Sequence, residues 1–413
     1  MLPASTVVSC QLPSRRYNSS TSADDYPPDM TPTTRRLAEA ILSSEHDAPN
    51  LHDGRIRRRM ALSKAITLIE SRAETHMRQA DMLLNYLLRH SDAGDDNEKP
   101  STIQNDVEKN NLPSFRVGIA GPPGAGKSSF IETFGLYVLK NKAKQDESKG
   151  PDENCDDNDE YTPSKLAVVC IDPSSSLTGG SILGDKTRMT ELSRHERAFV
   201  RPSPSRGTLG GLASYSNDAI TLCQAAGYDL VLVETVGLGQ SEVEICEGVD
   251  MLLLLVPPGG GDELQGVKKG IVELASMLIV NKADGDLLPA ARTTAADYEA
   301  AVRFFRHRDD GWDIPPVALV SAKTGEGMEK VWEEIVRYRR IMTDNGELQK
   351  KRQQQSRYWM HKNMRELIIA KAKSDPTLRE KSERLENDLV NGRITPRAAA
   401  QVLVDSITSS YES

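Results

Sequence analysis

The chain has 413 residues, more than one average domain, and carries a formal net charge of −8 at pH 7. This acidic balance excludes a general attraction to nucleic acid, and apolar runs no longer than Met251–Val256 argue against membrane insertion. The five cysteines form no CxxC pair, and the seven histidines have no ligand-like spacing. The pattern indicates a reducing compartment and argues against both a disulfide framework and a dedicated transition-metal site.

The N-terminal segment has the composition of a targeting peptide. Its first 23 residues contain no Asp or Glu, eight Ser or Thr residues, and the pair Arg15-Arg16. This is typical of a mitochondrial transit peptide and lacks the long apolar stretch of a secretory signal. An ordinary disordered tail is the alternative. We predict a transit peptide or disordered segment over residues 1–37 and a location in the mitochondrial matrix.

Helical arms are predicted on both sides of a central domain, the first over residues 38–95 and the second over residues 341–413. In each arm, apolar residues recur at helical spacing: Leu62, Ile66 and Ile69 in the first, and Met360, Met364, Leu367 and Ile368 in the second. Spacing alone leaves an intermolecular interface and packing against the central domain equally open. The arginine-rich start of the first arm, residues 55–59, is predicted to be a solvated helix face.

The central domain, residues 96–340, opens with a glycine-rich segment, GPPGAGKS at 121–128, which fits the pattern GxxxxGK[ST]. It lies between a predicted strand, Phe115–Ala120, and a predicted helix over 129–139. Backbone N–H groups of such a loop converge on phosphates, Lys127 reaches the β and γ oxygens, and the Ser128 hydroxyl holds Mg²⁺. The segment therefore predicts a nucleoside triphosphate site. Its predicted contacts are Gly121, Pro122, Pro123, Gly124, Ala125, Gly126, Lys127, Ser128 and Ser129.

The remainder of the central domain alternates between apolar runs and helical segments. Such runs lie at 166–171, 230–233, Met251–Val256, 275–280 and 317–320. The alternation predicts an α/β fold with a mainly parallel sheet covered on both faces. An acidic low-complexity segment at 141–163 cannot bury enough apolar surface to fold, so it is predicted to be a solvated insertion.

Acidic residues follow two of the predicted strands, at the strand ends where such sheets bind ligands. Asp172 and Glu234 each lie where a carboxylate joins the Mg²⁺ shell or orients the attacking water, and the Gly237 N–H can contact the γ-phosphate. A helix cap or turn is the alternative role for each carboxylate. We predict Lys127, Asp172 and Glu234 as catalytic residues, and Ser128, Asp172 and Glu234 as metal ligands.

Two later motifs specify the base. Residues 281–284 read Asn281-Lys282-Ala283-Asp284, and the Asp284 carboxylate can accept hydrogen bonds from N1–H and the exocyclic amine of guanine. We expect Asn281 to brace neighbouring loops and the Lys282 stem to pack on the base. Residues 321–323, Ser321-Ala322-Lys323, are expected to contact the guanine oxygen through the backbone and to cover the ring with Lys323. The predicted ligands are GTP or GDP with Mg²⁺.

Together these motifs resemble the MeaB/ArgK family of P-loop GTPases, which are related to the signal-recognition-particle and nickel-insertion GTPases. The resemblance covers residues from about 50 to 405 and implies an α/β P-loop NTPase fold of the signal-recognition-particle/MinD-like class, flanked by helical arms. It is carried by GPPGAGKSSF, DPSSSLTGGSILGDKTRM, RPSPSRGTLGG, ETVGLGQSE, PPGGGDELQGVKKG and NKAD, which begin at residues 121, 172, 201, 234, 257 and 281.

The resemblance implies a GTPase that acts as a chaperone in loading cobalamin into methylmalonyl-CoA mutase and in protecting the mutase. It also implies a homodimer held by the arms, switch segments at 178–188, 234–242 and 259–269, and a cobalamin adenosyltransferase as a further candidate partner. No obvious arginine finger is identifiable, although Arg188 and Arg201 are candidates, so slow intrinsic turnover that a partner accelerates is expected. The alternatives are a P-loop kinase or ATPase linked to arginine/ornithine transport and a metal-insertion GTPase of the nickel-chaperone type.

Overall fold

The structure, a computed structural model, describes most of the predicted central domain and both arms. The described residues are 26–43, 51–71, 73–90, 114–148, 161–172, 189–204, 214–235, 244–259, 269–304, 310–312 and 314–409. Most of the predicted transit peptide, the middle of the acidic insertion, Gly237 and Arg188 lie outside these ranges. So do the predicted switch segment at 178–188 and most of the other two.

Seven strands form one sheet in which every described pairing is parallel. Their order is β3-β2-β4-β1-β5-β6-β7, so the strand that enters the glycine-rich loop is central. The bounds are β1 Phe115–Ala120, β2 Leu166–Asp172, β3 Ala198–Pro204, β4 Leu230–Glu234, β5 Met251–Val256, β6 Met277–Val280 and β7 Val317–Leu319. The predicted mainly parallel α/β fold is confirmed.

One strand, β3, was absent from the sequence prediction. Its sequence AFVRPSP contains two prolines and an arginine, which is unlike the continuous apolar runs of the other strands. The structure places β3 at the edge of the sheet, paired only with β2. An edge position tolerates proline because one side of the strand needs no N–H donors.

Helices cover both faces of the sheet, and each face has its own apolar core. Side chains that alternate along a strand divide between the cores: Phe115, Val117 and Ile119 of β1 all belong to the one beneath the helix that leaves the glycine-rich loop. The central helices are α4 Lys127–Ser148, α5 Thr190–Arg194, α6 Ser214–Ala225, α7 Lys269–Leu274, α8 Leu288–Val302 and α9 Met328–Asp344.

The N-terminal arm consists of α1 Pro32–Leu42, α2 Leu51–Ile69 and α3 Glu74–His90, and it packs on α6. The predicted apolar face of Leu62, Ile66 and Ile69 is buried, so it packs within the chain. The predicted boundary at residue 37 falls inside α1. That helix begins after Thr31, whose hydroxyl accepts the N–H of Thr34.

The prediction of a solvated arginine face on α2 is wrong in part. Arg59 donates to the carbonyl oxygens of His195 and Ser193, at 3.2 and 3.0 Å, and Arg55 forms an ion pair with Glu196 at 2.8 Å. These contacts join the arm to the end of α5 and to the loop before β3. Charge spacing along one helix carries no information about such distant partners.

The C-terminal arm consists of α10 Glu347–Ser374, α11 Pro376–Val390 and α12 Pro396–Ser409. The predicted domain boundary at 340 falls inside α9, which packs on the sheet and ends at Asp344. The predicted apolar face of α10 is exposed in the single chain, with Met360 57% and Leu367 64% accessible. No described helix has the length and apolar character needed to cross a membrane.

The start of α10 is fixed to the central domain through Asp250, which directly precedes β5. The Asp250 carboxylate is fully buried and accepts hydrogen bonds from the guanidinium groups of Arg116 and Arg352. Further along α10, the Gln355 side chain donates to the carbonyl oxygens of Cys246 and Val249, both at 2.8 Å. The arm is therefore anchored on the segment that leads into β5.

Candidate active site

The glycine-rich loop adopts a conformation that requires glycine at defined positions. Gly121 has φ of 150° and Gly126 has φ of 85°. A Cβ on Gly121 would lie 2.1 Å from the carbonyl oxygen of Leu255, and one on Gly126 would lie 2.6 Å from Nδ2 of Asn281. The loop therefore passes too close to β5 and to the 281–284 segment for any side chain at these positions.

Helix α4 begins at Lys127, immediately after this loop, so its N-terminal N–H groups and positive dipole end face the loop interior. The Lys127 ammonium donates to the carbonyl oxygens of Gly121 and Pro122, at 2.7 and 3.3 Å. Its charge is therefore held over the concave side of the loop. This is the arrangement in which a lysine neutralises bound phosphate.

The next residue of α4 meets the end of β4. The Ser128 hydroxyl donates to the Glu234 carboxylate at 2.8 Å, and both residues are only 8% exposed. The parallel pairing of β4 with β1 opposes Glu234 to Ile119, which lies just before the loop. A hydroxyl and a carboxylate are the hard oxygen donors that Mg²⁺ prefers, so this pair fits a magnesium ion.

The third predicted metal ligand, Asp172, is the last residue of β2. Because β2 pairs with β4 and Cys170 is opposite Glu234, Asp172 lies at the same carboxyl edge of the sheet. Its side chain lies outside the described part of the structure, as does Gly237.

A cleft of about 480 Å³ adjoins the start of α4, and it is formed by the predicted base motifs. The Asp284 carboxylate accepts a hydrogen bond from the Ser321 hydroxyl at 2.6 Å, and that hydroxyl in turn accepts the N–H of Thr324 at 3.1 Å. The orientation of the carboxylate is thus fixed from the 321–325 turn. The cleft is lined by Ser129, Asn281, Lys282, Asp284, Leu287, Ala322 and Lys323.

Asn281 connects the base cleft to the glycine-rich loop. Its side chain is 1% exposed, donates to the carbonyl oxygen of Ala125 at 2.9 Å and accepts the N–H of Ala322 at 3.1 Å. The following residue, Lys282, has a positive φ of 61°, which is uncommon for a residue with a side chain. This kink directs the chain from β6 along the cleft wall, and the contacts of Asn281 agree with its predicted bracing role.

Comparison with known proteins identifies the family whose members share these nucleotide-binding motifs. Residues 161–377 match the family described as "Methylmalonyl Co-A mutase-associated GTPase MeaB", and curated relatives match over most of the chain. The chain belongs to the MeaB family of GTPases.

Two curated relatives illustrate the breadth of the MeaB family. "Methylmalonic aciduria type A homolog, mitochondrial" of Mus musculus is 40% identical over 356 residues, which are 86% of this chain and 77% of the relative. "GTPase ArgK" of Escherichia coli K12 is 36% identical over 353 residues, 86% of this chain and 94% of the relative. The chain is accordingly a GTPase that binds guanine nucleotides, as the sequence motifs predicted.

A solved structure shares the fold of this MeaB-family chain. It is described as "Crystal structure of LAO/AO transport system kinase", is 28% identical, and superposes with a TM-score of 0.59 over 91% of this chain and 96% of its own. That coverage extends beyond the sheet into the flanking helices. The expected P-loop GTPase fold with helical flanks is therefore confirmed.

One predicted catalytic candidate in this MeaB-family GTPase is directed elsewhere. The Arg201 guanidinium donates to Ser63, Thr67 and Glu70 of α2, at 3.3, 3.2 and 2.8 Å. It therefore joins β3 to the N-terminal arm, and the proposal that it serves as an arginine finger is wrong for this conformation. The other candidate, Arg188, lies outside the described residues.

A contact beside the base cleft was missed by the sequence analysis. Thr133, six residues into α4 after Lys127, donates its hydroxyl to the carbonyl oxygen of Ala322 at 2.6 Å. The sequence did not indicate this contact, because a threonine within a predicted helix matches no nucleotide-binding motif. Only the folded chain brings α4 against the 321–325 turn.

Proposed function

We propose that this chain binds and hydrolyses GTP as a chaperone that assists cobalamin loading into methylmalonyl-CoA mutase and protects the loaded mutase. The observation that carries the proposal is the match of residues 161–377 to a family described as mutase-associated GTPases. The mouse relative is named for methylmalonic aciduria, which agrees with that association.

At the phosphate end, Lys127 and the backbone N–H groups of residues 124–129 stabilise the negative charge that develops during attack of water on the γ-phosphorus. Ser128 and Glu234 would hold Mg²⁺, with Asp172 as a further ligand from the same edge of the sheet. When bound, the metal neutralises phosphate charge. Either Asp172 or Glu234 orients the attacking water, and the Gly237 N–H contacts the γ-phosphate. The supporting contact is the 2.8 Å hydrogen bond between Ser128 and Glu234.

At the base end, Asp284 accepts the two donors of guanine, and Lys282 and Lys323 cover the two faces of the ring. The supporting contact is the hydrogen bond from Ser321, which occupies one side of the carboxylate and leaves the other for the base. A purine without the donor pair would leave the base-facing side of the carboxylate without hydrogen bonds, and that loss opposes ATP.

The base cleft also weighs against the first alternative, a kinase or transport ATPase, even though the solved relative is described as a transport system kinase. The nickel-chaperone alternative would need a metal site. Within the described residues, no group of three or more His, Cys, Asp or Glu side chains is placed to hold a metal ion. No observation favours either alternative over the mutase chaperone.

We further propose that the chain acts in the mitochondrial matrix as a homodimer. The composition of residues 1–23 and the mitochondrial names of the mouse and Caenorhabditis elegans relatives support the location. The exposed apolar face of α10 supports dimerisation, because four apolar side chains at helical spacing remain uncovered: Met360, Met364, Leu367 and Ile368. A cobalamin adenosyltransferase is a further candidate partner, by family resemblance alone.

The test is steady-state hydrolysis by the full chain, with GTP or ATP, in the presence and absence of methylmalonyl-CoA mutase from the same organism. We expect slow GTP hydrolysis that rises with added mutase, and little hydrolysis of ATP. Glu234→Gln should abolish GTP hydrolysis both with and without the mutase. This result would show that the activity does not come from a contaminating enzyme. GTP hydrolysis that the mutase leaves unchanged, with no complex on gel filtration, would refute the chaperone proposal while leaving the GTPase intact.

A further inference from the structure

The 321–325 turn borders two clefts. Ala322 and Lys323 line both the 480 Å³ base cleft and a second cleft of about 590 Å³, and Thr133 lines the second. Ser321 is fully buried, whereas Lys323 and Thr324 are exposed. The exposed part of the turn therefore has little side-chain packing to hold it in place.

Hydrogen bonds compensate for this shortage of packing, and the Ala322 peptide is held from both ends. Its N–H donates to Oδ1 of Asn281 at 3.1 Å, and its carbonyl oxygen accepts from the Thr133 hydroxyl at 2.6 Å. Asn281 is itself joined to the carbonyl oxygen of Ala125 in the glycine-rich loop. The 321–325 turn is therefore attached twice to the elements that form the phosphate site, once to the glycine-rich loop through Asn281 and once to α4 through Thr133.

The Thr133 contact differs from what threonine normally does in a helix. A helical threonine commonly returns its hydroxyl to the carbonyl oxygen four residues earlier. Three described threonines do so: Thr67 donates to Ser63, Thr221 to Asn217 and Thr293 to Pro289. Thr133 instead donates to a residue 189 positions further along the chain. Its hydroxyl serves a tertiary contact in place of its own helix.

We infer that Thr133 is a positioning residue for guanine recognition, fixing the Ala322 peptide so that Ser321 of the 321–325 turn holds the Asp284 carboxylate toward the base. This inference rests on the proposed base site. Without the Thr133 hydrogen bond, the Ala322 peptide keeps its contact to Asn281 but loses the one to α4, so the turn can shift toward the second cleft and the base contacts weaken. The phosphate contacts of Lys127 and Ser128 lie at the other end of the nucleotide and remain.

The test separates the KM for GTP from kcat in hydrolysis by the full chain. Thr133→Val keeps the shape of the side chain and removes the donor, so KM should rise about 2- to 12-fold, the value of one neutral hydrogen bond. The kcat at saturating GTP should stay within about twofold, because the base contacts act on binding. Thr133→Ser retains the hydroxyl and should restore the KM.

Thr221→Val is the matched control, because it removes a threonine hydroxyl of similar burial that donates to a carbonyl oxygen at 3.1 Å on α6. It should leave both constants unchanged. Thr133→Ala is the second variant if Thr133→Val does not fold. An unchanged KM in the folded Val or Ala variant, a fall in kcat alone, or a serine variant as impaired as valine would overturn the inference. Since no mutase is present, failure of the chaperone proposal would leave this result unaffected.

Discussion

Substitution of Asp284 by asparagine provides the sharpest test of the base site. The Asp284 carboxylate has one oxygen 2.6 Å from the Ser321 hydroxyl, and the carboxylate borders the base cleft. Asparagine has nearly the same shape but presents one acceptor and one donor group. Guanine offers two donors at this edge, so the Asp284→Asn amide would oppose the exocyclic amine. Xanthine has N1–H beside a carbonyl oxygen, which matches an amide.

The magnitude follows from one hydrogen bond that is lost and one that is weakened. The bond to the exocyclic amine, worth about 1.5–3 kcal/mol to a charged acceptor, disappears, and the bond to N1–H becomes a neutral one worth about 1–1.5 kcal/mol less, so the change costs about 2.5–4.5 kcal/mol. At about 1.4 kcal/mol per tenfold change, GDP affinity should fall roughly 10²- to 10³-fold. The Ser321 hydroxyl can accept from an amide where it now donates, so the turn should survive the change.

The assay is isothermal titration of the full chain with GDP, XDP and ADP in the presence of Mg²⁺. We expect Asp284→Asn to prefer XDP over GDP, while the wild type prefers GDP over both other nucleotides. Asp286→Asn is the matched control, because this exposed aspartate lies two residues along in the same segment. If Asp284→Asn bound GDP within about threefold of the wild type, the assignment of Asp284 to the guanine edge would be refuted.

Two further predictions concern the anchoring of the C-terminal arm and its exposed face. Burial alone would raise the pKa of Asp250, but Arg116 and Arg352 lower it well below its usual range. The ionised Asp250 therefore stabilises the folded chain fully above pH 4, which is about the pKa of an aspartate in the unfolded chain. This stabilisation is lost as the pH falls below that value toward the pKa of Asp250 in the folded chain. Asp250→Asn should cost about 3–5 kcal/mol at pH 7 and flatten the acid limb of stability, as urea unfolding between pH 7 and pH 3 will measure. Equal stability of the two proteins at pH 7 would contradict this account. On the exposed face of α10, Leu367→Glu should convert the proposed homodimer to a monomer in light scattering, because the charge would be buried between two helices. A variant that remains dimeric would place the interface elsewhere.

Much of the site was predictable because its chemistry is encoded locally. The glycine-rich loop needs particular residues at fixed spacing, since only glycine fits where Gly121 approaches Leu255. Asp284 and Glu234 follow buried apolar strands, and parallel strands bring their carboxyl ends to one edge. Short motifs of this kind depend on a few neighbouring residues, so the sequence alone indicates them.

Contacts between distant segments were not predictable in the same way. Arg201 belongs to a motif of the resemblance, yet its guanidinium lies against α2. The edge strand β3 tolerates its two prolines because only one of its sides is paired, and its sequence therefore did not look like a strand. The arginine-rich start of α2 gave no sign of its partners before β3. The pattern of charges along a helix describes the surface of that helix but not the segment that packs against it.

The sequence by itself determined the nucleotide class and most of the strands and helices in their order along the chain, and it predicted the residues that would meet phosphate and base. The tertiary structure decided the order of strands in the sheet, the burial of the first arm, the exposure of the α10 face, and the tie from Thr133 to Ala322. The physical reason is the separation along the chain of the residues that interact. Loop and strand patterns follow from backbone sterics and local periodicity, whereas a hydrogen bond across 189 residues exists only once the sheet has brought its two ends together.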